Sequence, residues 1–322
     1  MQVLVPGSQR RTSEELHDRL DLSVGDASAK RSAFWVMLLL SGVIAAAGVI
    51  GDSTATVIGA MIVAPLSTPI LGIGLGITTG RAALIGRSLA YVALGMVLVI
   101  VLGFVFAQVL PDPANVLSNS QVVGRTSPTL MDLTAAIATG LVGAIAVCRR
   151  DVGDVLPGVA IAISLVPPLA VVGVCLGSGA PDLALGAGVL FASNVVAMII
   201  TSTVVFVTTG YAAAAGTTDR RGRAYLVLAA ALVVVAVPMV VNSLSSLWAR
   251  QISTATAQWL GGRPGAEVTD VTLHGRTATV AVLGPADLPP VEDLQKTVDD
   301  LIPLSPEVVI VHTVGERITP TE

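Results

Sequence analysis

The sequence has little charge, few aromatic side chains and almost no cysteine. Charged residues make up 12% of its 322 residues, whereas an ordinary soluble domain has about 25%. The net charge is only −4, so we expect no basic surface that binds nucleic acid. Hydrophobic residues make up 53% of the chain and the mean hydropathy is +0.82. This composition predicts a polytopic protein embedded in a lipid bilayer.

Residues that carry metal chemistry or catalysis are equally scarce. Cys148 and Cys175 lie far apart without metal-ligand spacing, so we predict neither a disulfide nor a zinc site, and no cofactor. None of the three histidines falls in a hydrophobic stretch, and the P-loop, G-x-S-x-G and H-E-x-x-H motifs are absent. The sequence therefore argues against an enzyme.

Seven hydrophobic stretches can cross a bilayer, whose core of about 30 Å needs about 20 helical residues. We predict spans at 33–50, 54–79, 88–110, 130–147, 155–176, 183–207 and 225–247. The first apolar run is too long for a signal peptide and follows a polar segment, so we expect the mature protein to keep it. The predicted domains are a cytoplasmic segment with a short amphipathic helix (1–31), a transmembrane domain (32–248) and a small soluble domain (249–322).

The second and fifth stretches each contain paired prolines and align at a constant offset of 99 residues. The first reads GAMIVAPLSTPILGIG and the second GVAIAISLVPPLAVVG. The offset places the following residues in register: Asp52 with Asp151, Gly59 with Gly158, Ile62 with Ile161, Leu66 with Leu165, Pro69 with Pro168, and Gly74 with Gly173. Because an odd number of spans separates the copies, we predict a 3+3 inverted repeat (32–110 and 130–210) with broken second and fifth helices, followed by an extra helix at 225–247.

The matched breaks indicate a solute path. Proline removes a backbone donor, and such a break persists in hydrocarbon only where protein or a polar cavity satisfies the freed carbonyls. Asn194 lies near the middle of the sixth span, and Asp132 follows Pro128 by one turn, with Arg125 as a candidate ion-pair partner. We predict that the solute-binding or gating residues are Pro65, Ser67, Thr68, Pro69, Asp132, Ser164, Pro167, Pro168 and Asn194.

Each of these polar groups also has a purely structural explanation. The hydroxyls of Ser67, Thr68 and Ser164 can repair the local backbone instead of coordinating a solute. Asn194 can form an interhelical hydrogen bond, because an unpartnered buried amide costs about 2 kcal/mol or more. Asp132 fits a structural ion pair as well as a gate. The sequence leaves these alternatives open.

Basic residues alternate between successive loops and predict the orientation. Twelve Lys and Arg residues fall on one side, and the opposite loops contain only Arg125. The positive-inside rule places the N-terminus in the cytoplasm, so seven crossings put the C-terminal domain outside a bacterial cytoplasmic membrane.

The tail after the last span has the alternation of a small α+β domain. Val271 and Leu273 precede a His274-Gly275 turn, alternating apolar residues follow it, and a helical pattern leads to a final strand at 308–311. With a helix at 254–260, the predicted order is αββαβ. Because so small a domain is marginally stable alone, we expect a homo-oligomer.

Three ordered motifs carry a family resemblance: VIGAMIVAPLSTPILGIGLG, RTSPTLMDLTAAIATGLVGAIA, and LPGVAIAISLVPPLAVVGVCLGSG followed by LFASNVV. Over about residues 32–210 the chain resembles the bacterial hydrophobic membrane proteins known as domain of unknown function 389. The resemblance implies a multi-span fold without an established activity. Its motif positions are Pro65, Pro69, Asp132, Pro167, Pro168 and Asn194. The chain departs from the family's small or apolar pair at Ser67-Thr68, so the resemblance does not extend to those hydroxyls.

Two functions of different classes fit the sequence. The first is a secondary transporter or channel for a small solute or ion, with its site between the broken helices. The second is a membrane-anchored oligomeric sensor or assembly module whose C-terminal domain binds a partner. Scarcity of charge in the spans favours a neutral or hydrophobic solute, or no transport.

Overall fold

A computed structural model describes residues 5–109, 118–152, 165–212, 221–261, 263, 265–274, 277–303 and 305–315. The chain divides into two compact units, Met1–Met239 and Val240–Glu322. The first unit is helical, and the second contains a small sheet.

The first unit is built from long apolar helices and their short connections. In chain order the helices are α1 (Ser13–Leu20), α2 (Ala27–Ile50), α3 (Thr54–Val63), α4 (Ser67–Thr79), α5 (Ala82–Val109), α6 (Ser120–Thr126), α7 (Leu130–Cys148), α8 (Val166–Gly177), α9 (Pro181–Thr208) and α10 (Arg221–Trp259). In the described part of the chain, α2, α5, α7, α9 and the 225–259 part of α10 are long and apolar enough to cross a membrane. The bent pair α3–α4 makes a sixth if it is one span.

These helices confirm the predicted multi-pass helical class. The exact number of spans stays a prediction, because the first part of the predicted fifth span (155–176) falls in residues 153–164, which lie outside the described residues. Gly158, Ile161 and Ser164 fall in that range, so the structure does not describe them.

The predicted break in the second span is present. α3 ends at Val63, α4 begins at Ser67, and the axes of the two helices differ by 47°. Pro65 lies in the interruption. Pro69 instead belongs to the first turn of α4, and Pro167 and Pro168 belong to the first turn of α8. First-turn N–H groups have no partner within a helix, so proline is tolerated there. These three prolines therefore start helices rather than interrupt them.

α2 and α5 run side by side in the same direction. Their contacts advance together along both helices: Phe34 with Tyr91, Leu38 with Gly95, and Gly42 with Val99. The end of α2 and the start of α5 consequently lie at opposite ends of this helix pair. The bent pair α3–α4 connects those two ends, so it passes from one end of the bundle to the other.

α7 and α9 also run parallel to each other. Gly140 of α7 lies against Met198 and Thr201 of α9, and Ala136 packs with Ala197 in one apolar cluster. The end of α7 meets the N-terminal segment, where the Arg11 N–H donates to the Cys148 carbonyl at 2.9 Å. Because that segment leads directly into the start of α2, α7 runs opposite to α2.

The backbones of α5 and α8 cross closely at glycine. A Cβ added to Gly173 would lie 2.8 Å from the Phe104 nitrogen and 2.9 Å from the Gly103 Cα, and it would also meet the Ile100 carbonyl oxygen. Only glycine lets these two backbones approach so closely.

We expect Gly173→Leu to destabilise the first unit by about 1–3 kcal/mol or more, because the added side chain meets rigid backbone. Thermal unfolding of the purified protein in detergent measures this. Gly188→Leu on α9 is the matched control, since a Cβ there meets nothing within 4 Å. Equal unfolding temperatures for the two variants would contradict the crossing.

The second unit contains a three-stranded sheet of order β1 (Glu267–His274), β2 (Thr277–Gly284) and β3 (Glu307–Val314). β1 and β2 are antiparallel, β2 and β3 are parallel, and α11 (Val291–Leu301) connects the parallel pair. Leu294 and Val298 of α11 belong to one buried apolar cluster with Val280 and Val282 of β2. The predicted order of strands and of the helix between them is confirmed. The separate helix predicted at 254–260 is not formed, because α10 continues to Trp259.

Candidate functional site

Several of the predicted site residues line one cavity in the first unit. It has a volume of about 260 Å³, and we call it the Asn194 cavity. Five helices contribute to its lining, which consists of Met61, Gly124, Arg125, Asp132, Ala135, Pro168, Leu190 and Asn194. The structure therefore brings together Asp132, Pro168 and Asn194 with Arg125, although up to 69 residues separate them in the sequence.

Asp132 occupies the first turn of α7 and caps it. One carboxylate oxygen, Oδ2, accepts the Thr129 backbone N–H at 2.7 Å and the Thr129 hydroxyl at 2.8 Å. A carboxylate at a helix N-terminus is stabilised by the helix dipole. The other oxygen, Oδ1, accepts no hydrogen bond from the described residues. Asp132 thus has both a structural role and a free acceptor at the cavity.

Arg125 is held by a neighbouring glutamine and not by Asp132. Its Nη1 donates to the Gln121 carbonyl at 2.8 Å and to Gln121 Oε1 at 3.1 Å. Within the described residues it forms no ion pair, so the predicted pair with Asp132 is not formed. Burial lowers the pKa of the Arg125 guanidinium from its usual range. A partly desolvated cation and an anion therefore line the same cavity without forming an ion pair with each other.

Asn194 lies in the middle of α9, and only 2% of its surface is exposed. Its position at the cavity wall is compatible with both explanations that the sequence leaves open, a solute contact and an interhelical hydrogen bond. An amide offers both donors and an acceptor, so Asn194 can bind either charged end of a solute.

A polar network fixes α6, the helix that carries Arg125. Asp52 Oδ1 accepts from the Ser120 hydroxyl at 2.6 Å and from the Gln121 N–H at 3.2 Å, while Gln121 Nε2 donates to the Thr54 hydroxyl. The Ser120 bond is the main reason why the pKa of the Asp52 carboxyl lies below its usual range. Sequence reasoning missed Gln121, since nothing in its local sequence shows that it meets Asp52 or Arg125.

Two further predicted residues, Pro65 and Thr68, line a different cavity of about 550 Å³, the Pro65 cavity. Charged groups of the N-terminal region line it as well, including Glu15, Asp18 and Lys30. Ser67 is the first residue of α4. Pro69 and Pro167 are buried in the first turns of α4 and α8, and neither lines the Asn194 cavity or the Pro65 cavity. Asp151, which aligns with Asp52 at the offset of 99 residues, instead pairs with Arg149 at 2.6 Å.

Ion pairs link the N-terminal segment, which lines the Pro65 cavity, to the end of α7 and to α5. Thr12 and Glu15 form a capping box at the start of α1. Leu16 is fully buried. Glu15 also forms an ion pair with Arg150 after α7, at 2.8 Å, and Asp21 forms one with Arg87 of α5, at 2.6 Å. The N-terminal segment is therefore attached to the helical bundle by ion pairs and by a buried side chain.

Loss of the Asp21–Arg87 ion pair should weaken the attachment of the N-terminal segment to α5. The Asp21 side chain is 2% exposed, and Arg87→Ala leaves it with the Ser23 N–H and with the His17 imidazole, whose Nε2 lies 3.9 Å from Asp21 Oδ2. We expect a loss of about 2–3 kcal/mol in the free energy of unfolding, because an uncompensated charge stays buried. Thermal unfolding of the detergent-purified protein measures it. Arg31→Ala, which removes an exposed arginine, is the control, and an equal loss in both variants would contradict the buried pair.

The similarity to known proteins covers the part of the chain that contains the Asn194 cavity. The family model described as Domain of unknown function (DUF389) matches residues 61–200, so the predicted resemblance is confirmed over that range. All eight residues that line the Asn194 cavity fall inside the matched range.

An uncharacterized protein of Methanocaldococcus jannaschii is 32% identical over 171 residues, which cover 53% of this chain and 52% of the relative. The chain thus spans about half the length of this relative, which is archaeal and not bacterial. No solved structure matches the chain.

Proposed function

We propose that the protein is a secondary transporter or channel for a small solute or ion, and that the Asn194 cavity is its solute site. The observation that carries the proposal is the meeting of Asp132, Pro168 and Asn194, from three separate helices, with Arg125 at one cavity. Polar and ionisable groups are expensive inside a membrane domain, so a cluster of them at a cavity favours a functional site. No catalytic step is part of the proposal.

An inverted 3+3 repeat is supported by helix contacts that recur at the offset of 99 residues. Gly173 of α8 lies against Gly103 of α5. Gly74 of α4, its partner at this offset, lies against Ser202 of α9, which is the partner of Gly103. Each half therefore lays its second broken-segment helix against the third helix of the other half. Chance similarity of apolar sequence gives no reason for this exchange.

The inverted sense of the repeat is supported by helix direction. α4 runs antiparallel to α5, since Gly76 lies against Ile85 and Gly72 against Ser88. α8 runs parallel to α5, since its contacts advance from Gly173 with Gly103 to Gly177 with Ala107. The two equivalent helices thus run in opposite directions, as an inverted repeat requires.

One pair of aligned residues that lines two different cavities supports alternating access. Ala33 lines the Pro65 cavity and lies 99 residues before Asp132, which lines the Asn194 cavity. The charge bias of the loops favours a cytoplasmic N-terminus, which assigns the Pro65 cavity to the cytoplasmic side. Rocking of one half against the other would then open each side of the site in turn.

Thermal unfolding against a broad panel of ions and metabolites tests the proposal. A solute at 100 times its dissociation constant should add about 2.7 kcal/mol to the free energy of unfolding of the purified protein. Stabilisation of the wild type that disappears in Asn194→Leu would support a solute site. An unchanged unfolding temperature across the panel would count against it.

A sensor or assembly module is the second candidate, and the surface of β3 favours it. β3 is an edge strand, with Val309 41% exposed, Val311 50% exposed and Val314 66% exposed. Exposed apolar side chains on an unpaired edge suit pairing with another chain. We propose a homo-oligomer on this ground, with the C-terminal domain outside a cytoplasmic membrane. A monomeric mass in detergent would contradict the oligomer.

A further inference from the structure

We propose that the Asn194 cavity binds a small zwitterion, a net-neutral solute that carries one anionic group such as a carboxylate and one ammonium group. The inference rests on the proposed function, since it assumes that the cavity is a solute site. It assigns the anionic end of the solute to Arg125 and the ammonium end to Asp132.

The first argument is charge balance at the cavity. Arg125 contributes one positive charge and Asp132 one negative charge to the lining, and no other ionisable residue of the described chain lines it. The two do not pair with each other, and neither forms another ion pair within the described residues. Both side chains are partly buried, and a partly desolvated charge without a counter-charge is unfavourable. A zwitterion compensates both at once, whereas a simple anion or cation compensates one and repels the other.

The second argument is that each charged group is anchored by one atom and has another to spare. Gln121 holds Nη1 of Arg125, while Nε and Nη2 have no hydrogen-bond partner among the described residues. Thr129 holds Oδ2 of Asp132, while Oδ1 has no such partner there. Anchored groups lose little freedom when they bind, so the unused atoms form a preorganised two-point site.

The third argument is size. About 260 Å³ lies below the range of roughly 300–1,000 Å³ found for pockets that take drug-sized ligands. The rest of the lining is apolar or small, with Met61, Ala135 and Leu190, so a short apolar part of the solute can lie between the charged ends. A net-neutral solute also agrees with the scarcity of charge in the spans.

Three matched solute pools test the inference on the full-length protein purified in detergent. The first holds the zwitterions glycine, alanine, serine and proline. The second holds their carboxamides, which keep the ammonium group and lose the carboxylate. The third holds acetate, propionate and lactate, which keep the carboxylate and lose the ammonium group. We expect the zwitterion pool alone to raise the unfolding temperature, because only it satisfies both Arg125 and Asp132.

Charge variants assign the two ends of the solute. We expect Arg125→Gln and Asp132→Asn each to weaken binding of the zwitterion pool by about 10- to 100-fold, the value of one charge-assisted hydrogen bond. Asn at position 132 still accepts from Thr129, so α7 keeps its cap. Arg125→Lys keeps the charge and should retain part of the binding, which separates loss of charge from loss of fold.

Equal stabilisation by the carboxamide or the carboxylate pool would overturn the inference, as would no shift with any of the three pools. If another solute class in the broad panel stabilises the wild type but not Asn194→Leu, the zwitterion is wrong and the transporter proposal stands. If no solute stabilises the wild type, both fail.

Discussion

Replacement of Asn194 by leucine is expected to abolish solute-induced stabilisation and solute transport. Asn194 is 2% exposed and lines the cavity that Asp132 and Pro168 also reach. Leucine has a similar volume but neither donates nor accepts hydrogen bonds. Loss of one or two such bonds in a buried site costs about 1–3 kcal/mol each, which lowers affinity about 10- to 100-fold or more. The shift in unfolding temperature with a stabilising solute measures the loss.

Thr201→Val on the same helix is the matched control for Asn194→Leu. It also replaces a buried polar side chain by an apolar one, but the Thr201 hydroxyl donates to the Ala197 carbonyl and does not line the cavity. We expect it to retain the solute-induced shift. If both variants kept the shift, Asn194 would have only a packing role. If both lost it, the effect would not be specific to the cavity.

Cysteines placed in the two cavities are expected to react from opposite sides of the membrane. Ala135→Cys lies in the Asn194 cavity and Thr68→Cys in the Pro65 cavity. In right-side-out vesicles a membrane-impermeant thiol reagent should label Ala135→Cys and not Thr68→Cys, and inside-out vesicles should reverse the result. The reason is the proposed inverted repeat, which would place the two cavities at opposite ends of the bundle.

Controls for this labelling come from the same chain. The native Cys148 and Cys175 are buried, so the wild type should react little. Ser8→Cys, in the exposed N-terminal segment, reports the side to which the N-terminus belongs, and we expect it to behave like Thr68→Cys. Labelling of Thr68→Cys and Ala135→Cys from one side only would contradict the inverted arrangement and with it alternating access.

Much of the fold follows from local sequence. Long apolar runs predict the membrane-length helices, because a bilayer accepts only segments that satisfy their own backbone hydrogen bonds. Pro65 marks the break between α3 and α4, and Thr12 with Glu15 marks the start of α1. Alternation predicts the strands of the small domain. These features depend on neighbours in sequence, which is why they could be predicted.

The candidate site is predictable only in part. Asp132 and Asn194 are identifiable because polar groups in apolar spans are expensive, and both line the cavity. The pairing of charges is not identifiable in this way. Arg125 binds Gln121 and not Asp132, and Glu15 pairs with Arg150, 135 residues away. The sequence predicts Thr68 and Asp132 in one site, but Thr68 lines the Pro65 cavity. Which distant side chains meet depends on how the helices pack, and a single sequence does not encode this locally.

Untargeted transport into proteoliposomes tests the central claim most directly. Vesicles with wild-type protein, with Asn194→Leu and without protein are incubated with a whole extract of small metabolites, and their contents are compared by mass spectrometry. The proposed function predicts at least one solute enriched with the wild type alone, and the cavity predicts that it is zwitterionic. Identical contents in all three kinds of vesicle would contradict a transporter and favour a membrane-anchored assembly module.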